Sequence, residues 1–377
     1  MAGLYLHIPF CKQACHYCNF HFSTTLKEKS VLVKAIIEEI KLQQQYLNGA
    51  TVETIYLGGG TPSLLSQKEI ASIFEAIYSI HTVHPNAEIT LEANPDDLTK
   101  EKLQQLADSP VNRLSIGVQS FFEEDLEWMN RAHNAKEAQQ CIEQAQLAGF
   151  EDLTIDLIYG APTTDNERWQ QNIQTTLAFN IPHISCYSLT VEPNTALAHF
   201  VKKGIKAAVD EQRAAEQFEL LIEQLEEKGY EHYEISNFAL PNRHARHNSN
   251  YWLGASYLGI GPAAHSFNGE SRQWNIANNA AYMRAIQSGN IPYEQEILTT
   301  TQQYNEYILT TLRTKWGCQL QKIKEWGALY EQYFQKSVTS YLKKGHIVEK
   351  NGIFFLTKKG KLIADRIAMD LFVEISD

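Results

Sequence analysis

Cysteine is scarce, with six residues in a chain of 377, far too few for a fold held by disulfides. Positive charge is in deficit as well. Lys and Arg number 33 against 44 Asp and Glu, a formal charge of -11, which excludes nucleic-acid binding through a broad basic footprint. Long apolar runs are missing, and none approaches the ~20 residues of a membrane span. Residues 4–10 are apolar but short, interrupted by His7 and Pro9, and no basic segment precedes them, so no secretory signal is expected. Low-complexity tracts are absent. What is present, 44% hydrophobic and 20% charged residues, suits a globular core in a cytoplasmic protein. The length fits two or three domains, or one barrel-sized unit with an appendage.

Six short apolar runs, rich in β-branched or aromatic residues, fall at 4–8, 54–57, 89–92, 114–118, 153–158 and 184–189. Each ends in Gly, Pro or a polar turn, as strands do. Between them lie helical stretches at 30–46, 67–80, 100–107, 136–148, 169–178 and 211–228, spaced as amphipathic helices. Repeated strand–helix units demand parallel pairing with right-handed crossovers. The pattern leaves open whether the sheet stays flat or curls into a full or partial barrel. From 238 to about 292, Pro, Gly and Asn break the rhythm, and this stretch reads as ordered loops with short helices. Helices near 301–313, 321–330 and 333–343 follow, then a hairpin through Asn351-Gly352 and a last helix from Lys361. The expected division is a barrel over 1–238, a loop-rich extension over 239–295 and a winged-helix-like module over 296–377. Acidic residues nearly balance the Lys and Arg of that module, so packing or partner docking is its expected role rather than DNA binding.

The sharpest feature is Cys11-Lys-Gln-Ala-Cys15-His-Tyr-Cys18. It follows the first strand directly, which puts it at the carboxyl end, where active sites of α/β folds gather. Iron–sulfur clusters normally take four thiolates; a loop offering three leaves one iron open for chemistry. Zinc is the competing reading, but zinc prefers four ligands, and only His16 or His21 stands near enough in sequence to complete such a set.

CxxxCxxC after a first strand resembles the signature of the radical S-adenosylmethionine superfamily. The resemblance implies a full or partial (β/α) barrel, usually of six units, a 4Fe-4S cluster on Cys11, Cys15 and Cys18, and S-adenosylmethionine chelated to the open iron. Gly58-Gly59-Gly60-Thr61-Pro62 stands at the position of the family's glycine motif, which implies cofactor contacts from Gly59, Gly60 and Thr61. Glu92, Gln119 and Asp156 sit at or near the ends of three successive strands and suit a ribose, adenine and carboxylate lining. Arg131 could pair with a carboxylate, and Tyr5 on the first strand could pack near the cofactor. Taken singly, the bland reading of each is a loop anchor or a core residue.

In order, LYLHIPFCKQACHYCNF, YLGGGTPSLL, LEANPDDL, RLSIGVQSF, NRAH, IDLIYGAP and YSLTVEPNT are similar to the branch that holds oxygen-independent coproporphyrinogen dehydrogenase and the heme chaperones. The dehydrogenase type carries a further cysteine two positions after the third; here Phe20 stands there, as in the chaperone type. The dehydrogenase also has an N-terminal extension, for which this chain shows no counterpart. The chaperone type has an HNxxY motif implicated in heme binding, present as His247-Asn248-Ser249-Asn250-Tyr251. The resemblance implies bound heme as cargo, with His247 as its ligand; His244 and His265 are lesser candidates on proximity in the chain alone. Trp252 and Tyr257 are expected near the macrocycle or in the core. Heme-acceptor proteins such as respiratory oxidases and an electron donor are the implied partners, with peripheral membrane contact left open. Two rivals remain: oxidative decarboxylation of coproporphyrinogen III, and a winged-helix regulator sensing iron or redox state.

Overall fold

Alternate positions in the short apolar runs are hydrophobic, and in the computed structural model, which describes residues 2–374, each run lies in a strand. The six are β1 (Ala2–Ile8), β2 (Val52–Gly59), β3 (Val83–Ala93), β4 (Arg113–Gln119), β5 (Asp152–Tyr159) and β6 (His183–Ser188). They pair in chain order and all run parallel. Helices Lys29–Leu42, Gln67–Ile80, Lys100–Ala107, Ala135–Leu147 and Asn166–Ala178 make the crossovers. Their starts are written locally: Ser66 and Asn134 each form a capping box with the Glu three residues on, and Asp165 accepts from the Arg168 amide.

One face of the curled sheet is dry. Leu4, Leu6, Ile55, Leu57, Leu91, Leu114, Ile116, Leu153, Ile155 and Ile184 are buried beneath the helices. Burying each such side chain contributes about 1.5–3 kcal/mol. The residues between them face inward and are polar: Tyr56, Thr90, Glu92, Ser115, Thr154, Asp156 and Ser185 line one chamber. Parallel sheets usually carry apolar residues on both faces, so this lumen is built to hold polar groups. The end strands of the sheet do not pair with each other, which makes the architecture a partial rather than a closed barrel.

Residues 239–292 differ from the expected loops. They carry three strands, and the stretch 231–297 as a whole extends the sheet on both sides of the parallel core. On one side stand β7 (Glu231–Glu234) and β8 (Asn237–Ala239), antiparallel beyond β6. On the other, β9 (Ser256–Ile260) runs parallel to β1, followed by β10 (His265–Phe267), β11 (Ser271–Asn275) and β12 (Tyr293–Ile297) in antiparallel order. These strands are short and rich in Ser, Asn, Gln and Glu, so their propensity is weak, and pairing onto the edge of β1 decides their conformation. Gly259 is required there: a Cβ at that position would stand 2.0 Å from the His265 carbonyl oxygen.

The C-terminal module has its own core around Tyr304, Ile308, Phe334, Ile347 and Ile367. Helix Ala328–Lys343 and the antiparallel strands β13 (Cys318–Gln319), β14 (Ile347–Lys350) and β15 (Ile353–Leu356) surround it. Asn351 and Gly352 have φ of 54° and 77°, the left-handed pair that a two-residue hairpin demands. The helix expected over 321–330 stops at Glu325 because Gly327, with φ 112°, reverses the chain. The module packs beside β7: the Lys315 amide donates to the Tyr233 carbonyl at 2.8 Å, and Lys361 Nζ meets His232 Nδ1 at 2.8 Å. Among the described residues no helix is long and apolar enough to cross a membrane.

Candidate functional site

The segment after β1 leaves the sheet at Pro9 and returns at Ser23, where the Cys11 amide donates to the Ser23 carbonyl at 3.1 Å. The turn after helix Glu123–Met129 pins the middle of this loop. Asn130, in left-handed conformation, donates from Nδ2 to the Ala14 carbonyl at 2.8 Å. The His16 amide donates to the Met129 carbonyl at 3.1 Å, and His16 Nδ1 lies 3.1 Å from the Trp128 carbonyl. Cys11, Cys15 and Cys18 are half-buried free thiols on one wall of a cavity of about 430 Å³. Burial pushes the Cys11 thiol up to about 11, and the Cys18 thiol upward too; thiols in such a setting release their protons when metal binds.

Gly59, Gly60, Thr61, Glu92, Gln119, Arg131 and Asp156 line the same cavity. The glycine run is explained by close packing. With φ at 105°, Gly59 presses on His7, and a Cβ there would meet the His7 ring at 2.6 Å. A Cβ on Gly60 would stand 2.7 Å from the Phe10 backbone, so these residues clamp the β2 turn onto the root of the cysteine loop. Glu92 holds the turn from the other side, accepting from the Gly59 amide at 3.1 Å and from Tyr56 Oη at 2.8 Å. Burial, with the Asp156 charge adding to it, raises Glu92 to about 7; burial also raises Asp156 to about 6.

Arg131 ties the walls together. Nη1 donates to Cys15 Sγ at 3.3 Å and to Tyr17 Oη at 3.4 Å, while Nη2 donates to Asn94 Oδ1 and the Gly117 carbonyl, both at 2.7 Å. Among the described residues its Nε is buried without a partner. Arg131→Met strands the Asn94 and Gly117 acceptors. It is expected to cost roughly 2 kcal/mol, read as a lower melting temperature of the metal-free protein.

Two expected residues lie elsewhere. Tyr5 faces the lumen and bonds His7 Nδ1 at 3.0 Å; it is not part of the cysteine cavity. His247 is on a helix (Arg246–Trp252), not a loop, and is 3% exposed. Its Nδ1 meets Thr54 Oγ1 at 2.8 Å and its Nε2 meets Tyr251 Oη at 2.9 Å, with Tyr56 stacked on the ring. Both ring nitrogens are therefore engaged, and Thr54 lies five residues before Gly59 along β2, roughly 16 Å at strand rise. The HNxxY helix closes the amino-terminal end of the barrel, away from the cysteines. Its amide nitrogens at Arg246 and His247 both donate to Glu88, at 2.8 Å each.

Asn94, Ser115, Gly117, Tyr17 and Tyr187 also line the cavity and escaped the reading of the sequence. The signal for Ser115 and Tyr187 was the period-two polarity of their strands; Tyr17, inside the cysteine motif, passes for an ordinary aromatic.

Residues 5–174 match the family model of the radical SAM superfamily. The chain is 32% identical to the heme chaperone HemW of Bacillus subtilis, over 97% of this chain and 98% of that one. It is 30% identical to the heme chaperone HemW of Escherichia coli, over 98% of each. In fold it is similar to the radical SAM coproporphyrinogen III oxidase HemN of Escherichia coli, with a TM-score of 0.86, covering 99% of this chain and 90% of that one at 23% identity. With a cysteine cavity at the mouth of a parallel partial barrel and near-full-length similarity to the HemW chaperones, the chain belongs to the HemN/HemW-like branch of the radical SAM superfamily.

Proposed function

We propose that the protein is a heme chaperone of the HemW type, a cytoplasmic carrier that binds heme and passes it to acceptor proteins such as respiratory oxidases. A 4Fe-4S cluster on Cys11, Cys15 and Cys18 and bound S-adenosylmethionine assist it. The donor set fits these groups. Three thiols share one wall, and among the described residues no three His, Cys, Asp or Glu side chains gather as a single metal ion requires. A cubane instead spreads its thiolates over different irons. When bound, the cluster supplies one electron to the sulfonium cofactor.

The chain's own residues hold the cofactor in place. Gly59, Gly60 and Thr61 offer backbone to its methionine end. Glu92, Gln119 and Asp156 line the side for ribose and adenine, and the Arg131 guanidinium supplies positive charge for a carboxylate. An electron donor is the further partner; nucleic acid is not.

The observation that carries the choice within the branch is Phe20. It stands where the dehydrogenase type has its extra cysteine, and its ring is 68% exposed at the cavity rim, an apolar surface where heme rather than metal would settle. Anaerobically reconstituted, heme-loaded protein is expected to transfer heme to a heme-free oxidase subunit, seen as growth of the acceptor's Soret band. In parallel, the protein with coproporphyrinogen III, S-adenosylmethionine and a reductant is expected to yield no protoporphyrinogen. Multiple turnovers in that second assay would make it the decarboxylating enzyme instead.

A further inference from the structure

The large sheet has two edges, and only one of them is covered. At β7 the C-terminal module closes over the strand: Glu234 bridges to Thr314, and the Lys315 amide donates to the Tyr233 carbonyl at 2.8 Å. β12 ends the other side, and among the described residues no strand pairs with its outer edge. An open edge offers unpaired backbone groups to any extended chain, so native proteins ordinarily shield it. This edge starts beside the cysteine cavity's end of the sheet. β9 is parallel to β1 and the next three strands alternate in direction, so β12 begins at the carboxyl end of β1.

Register fixes which groups the edge presents. In an antiparallel pair, positions whose backbone bonds the neighbour alternate with positions whose backbone points away. The Leu298 amide donates to the Glu270 carbonyl at 3.0 Å, and the Ile276 amide to the Pro292 carbonyl at 2.9 Å. No shift of register separates these two bonds. Glu294 and Glu296 therefore turn their backbone toward β11, while Gln295 and Ile297 turn theirs outward.

The side chains alternate as well. Tyr293, Gln295 and Ile297 share one face, with Ile297 79% exposed and Tyr293 46%. Shielding alone would call for polar or charged residues at those two positions. Glu294 and Glu296 share the opposite face, and among the described residues neither has an ion-pair partner. Arg272, directly across from Glu296, is held by Glu306. A second copy of the chain fits this edge badly. Antiparallel pairing of two β12 strands about Gln295 sets Glu294 opposite Glu296 of the copy, twice, and like charges directly opposite destabilise a pair.

We propose that the outer edge of β12 takes up an extended segment of a partner protein, alternating basic and apolar residues, as a further strand of the sheet. Backbone bonds to Gln295 and Ile297 supply the pairing, as in other strand additions. Lys or Arg on one face of the segment meets Glu294 and Glu296, and apolar residues on the other cover Tyr293 and Ile297. The site does not rest on the heme-chaperone reading.

Fluorescence anisotropy with a labelled peptide of six alternating valines and lysines tests the edge, beside a companion peptide of valines and glutamates. Wild-type protein is expected to bind the lysine peptide about tenfold more tightly than the glutamate peptide, or better. Gln295→Pro removes an outward amide that bonds nothing within the sheet, a place where proline is tolerated. It is expected to keep the wild-type circular dichroism and to bind the lysine peptide at least about tenfold more weakly. The double variant Glu294→Lys/Glu296→Lys is expected to prefer the glutamate peptide. Undiminished binding by a folded Gln295→Pro would mean charge attraction without strand pairing and would overturn the proposal. So would a wild type that binds neither peptide or both alike, or a double variant that still prefers lysine. A wild-type dimer in sedimentation that Gln295→Pro dissolves would give the edge to a second copy instead.

Discussion

Replacing Cys15 with alanine is expected to abolish the broad visible absorption of the anaerobically reconstituted protein and to take bound iron from about four atoms per chain to near zero. The size of the effect follows from the ligand count. A cubane on three protein thiolates already has one iron without protein sulfur, and removing a second anchor leaves half the corners open to exchange and oxidation. Cys15 is also the thiol nearest a fixed positive charge, with Arg131 Nη1 at 3.3 Å, so no neighbour substitutes for it. The fold should survive, because the cysteine loop is held by its backbone contacts to Ser23, Met129 and Asn130 rather than by the thiols. Iron and sulfide analysis beside far-ultraviolet circular dichroism reads both. Full iron content and unchanged absorption in the variant would remove the cluster assignment and every cofactor role built on it.

Glu39→Ala is expected to lose roughly 4 kcal/mol of stability, far more than substitutions at the cofactor cavity. Glu39 is fully buried on helix Lys29–Leu42. Its carboxylate accepts from the Gly261 amide at 2.7 Å, Asn275 Nδ2 at 2.6 Å and Tyr282 Oη at 2.5 Å. It thus ties the added strands β9 to β11 to the first crossover helix. Alanine leaves three buried donors without this acceptor, each costing about 1–3 kcal/mol.

Burial raises the Glu39 carboxyl from 4.5 to about 7, which sets a pH signature. The folded state binds the proton more tightly than the unfolded one, so this group's contribution is full below about 4.5. It is lost as pH rises through about 7. Glu39→Gln cannot titrate, and its melting temperature is expected to fall less between pH 5 and pH 8 than that of the wild type. Parallel melting curves for the two would refute the buried-carboxyl account.

The fold was legible where periodicity is strong. All six parallel strands were read because Leu, Ile and Val recur at alternate positions between amphipathic stretches. The hairpin at Asn351-Gly352 was read because so few dipeptides accept two left-handed residues. Strands β9 to β12 were not, because Ser, Asn and Glu in short runs carry little intrinsic preference and only the free edge of β1 makes them strands. At the site, the cysteines and the glycine turn stood out as contiguous motifs. Tyr5 read only as an aromatic on a core strand, because register and not composition fixes that it faces the lumen, in a chamber that shares Glu92 and Asp156 with the cysteine cavity. The sequence offered no sign of the partners that occupy the His247 ring, Thr54 and Tyr251, because they come from β2 and from one helical turn away.

By itself the sequence determined the strand–helix order, the triad of thiols on one turn, and the acidic balance that argues against a nucleic-acid partner, since each is local in the chain or a property of its composition. Tertiary structure decided which polar residues share a cavity, that the barrel stays open, and that His247 is enclosed with both ring nitrogens engaged. Those outcomes depend on strand register and edge pairing between segments more than two hundred residues apart, and no local pattern encodes which imidazole ends up with its nitrogens already engaged.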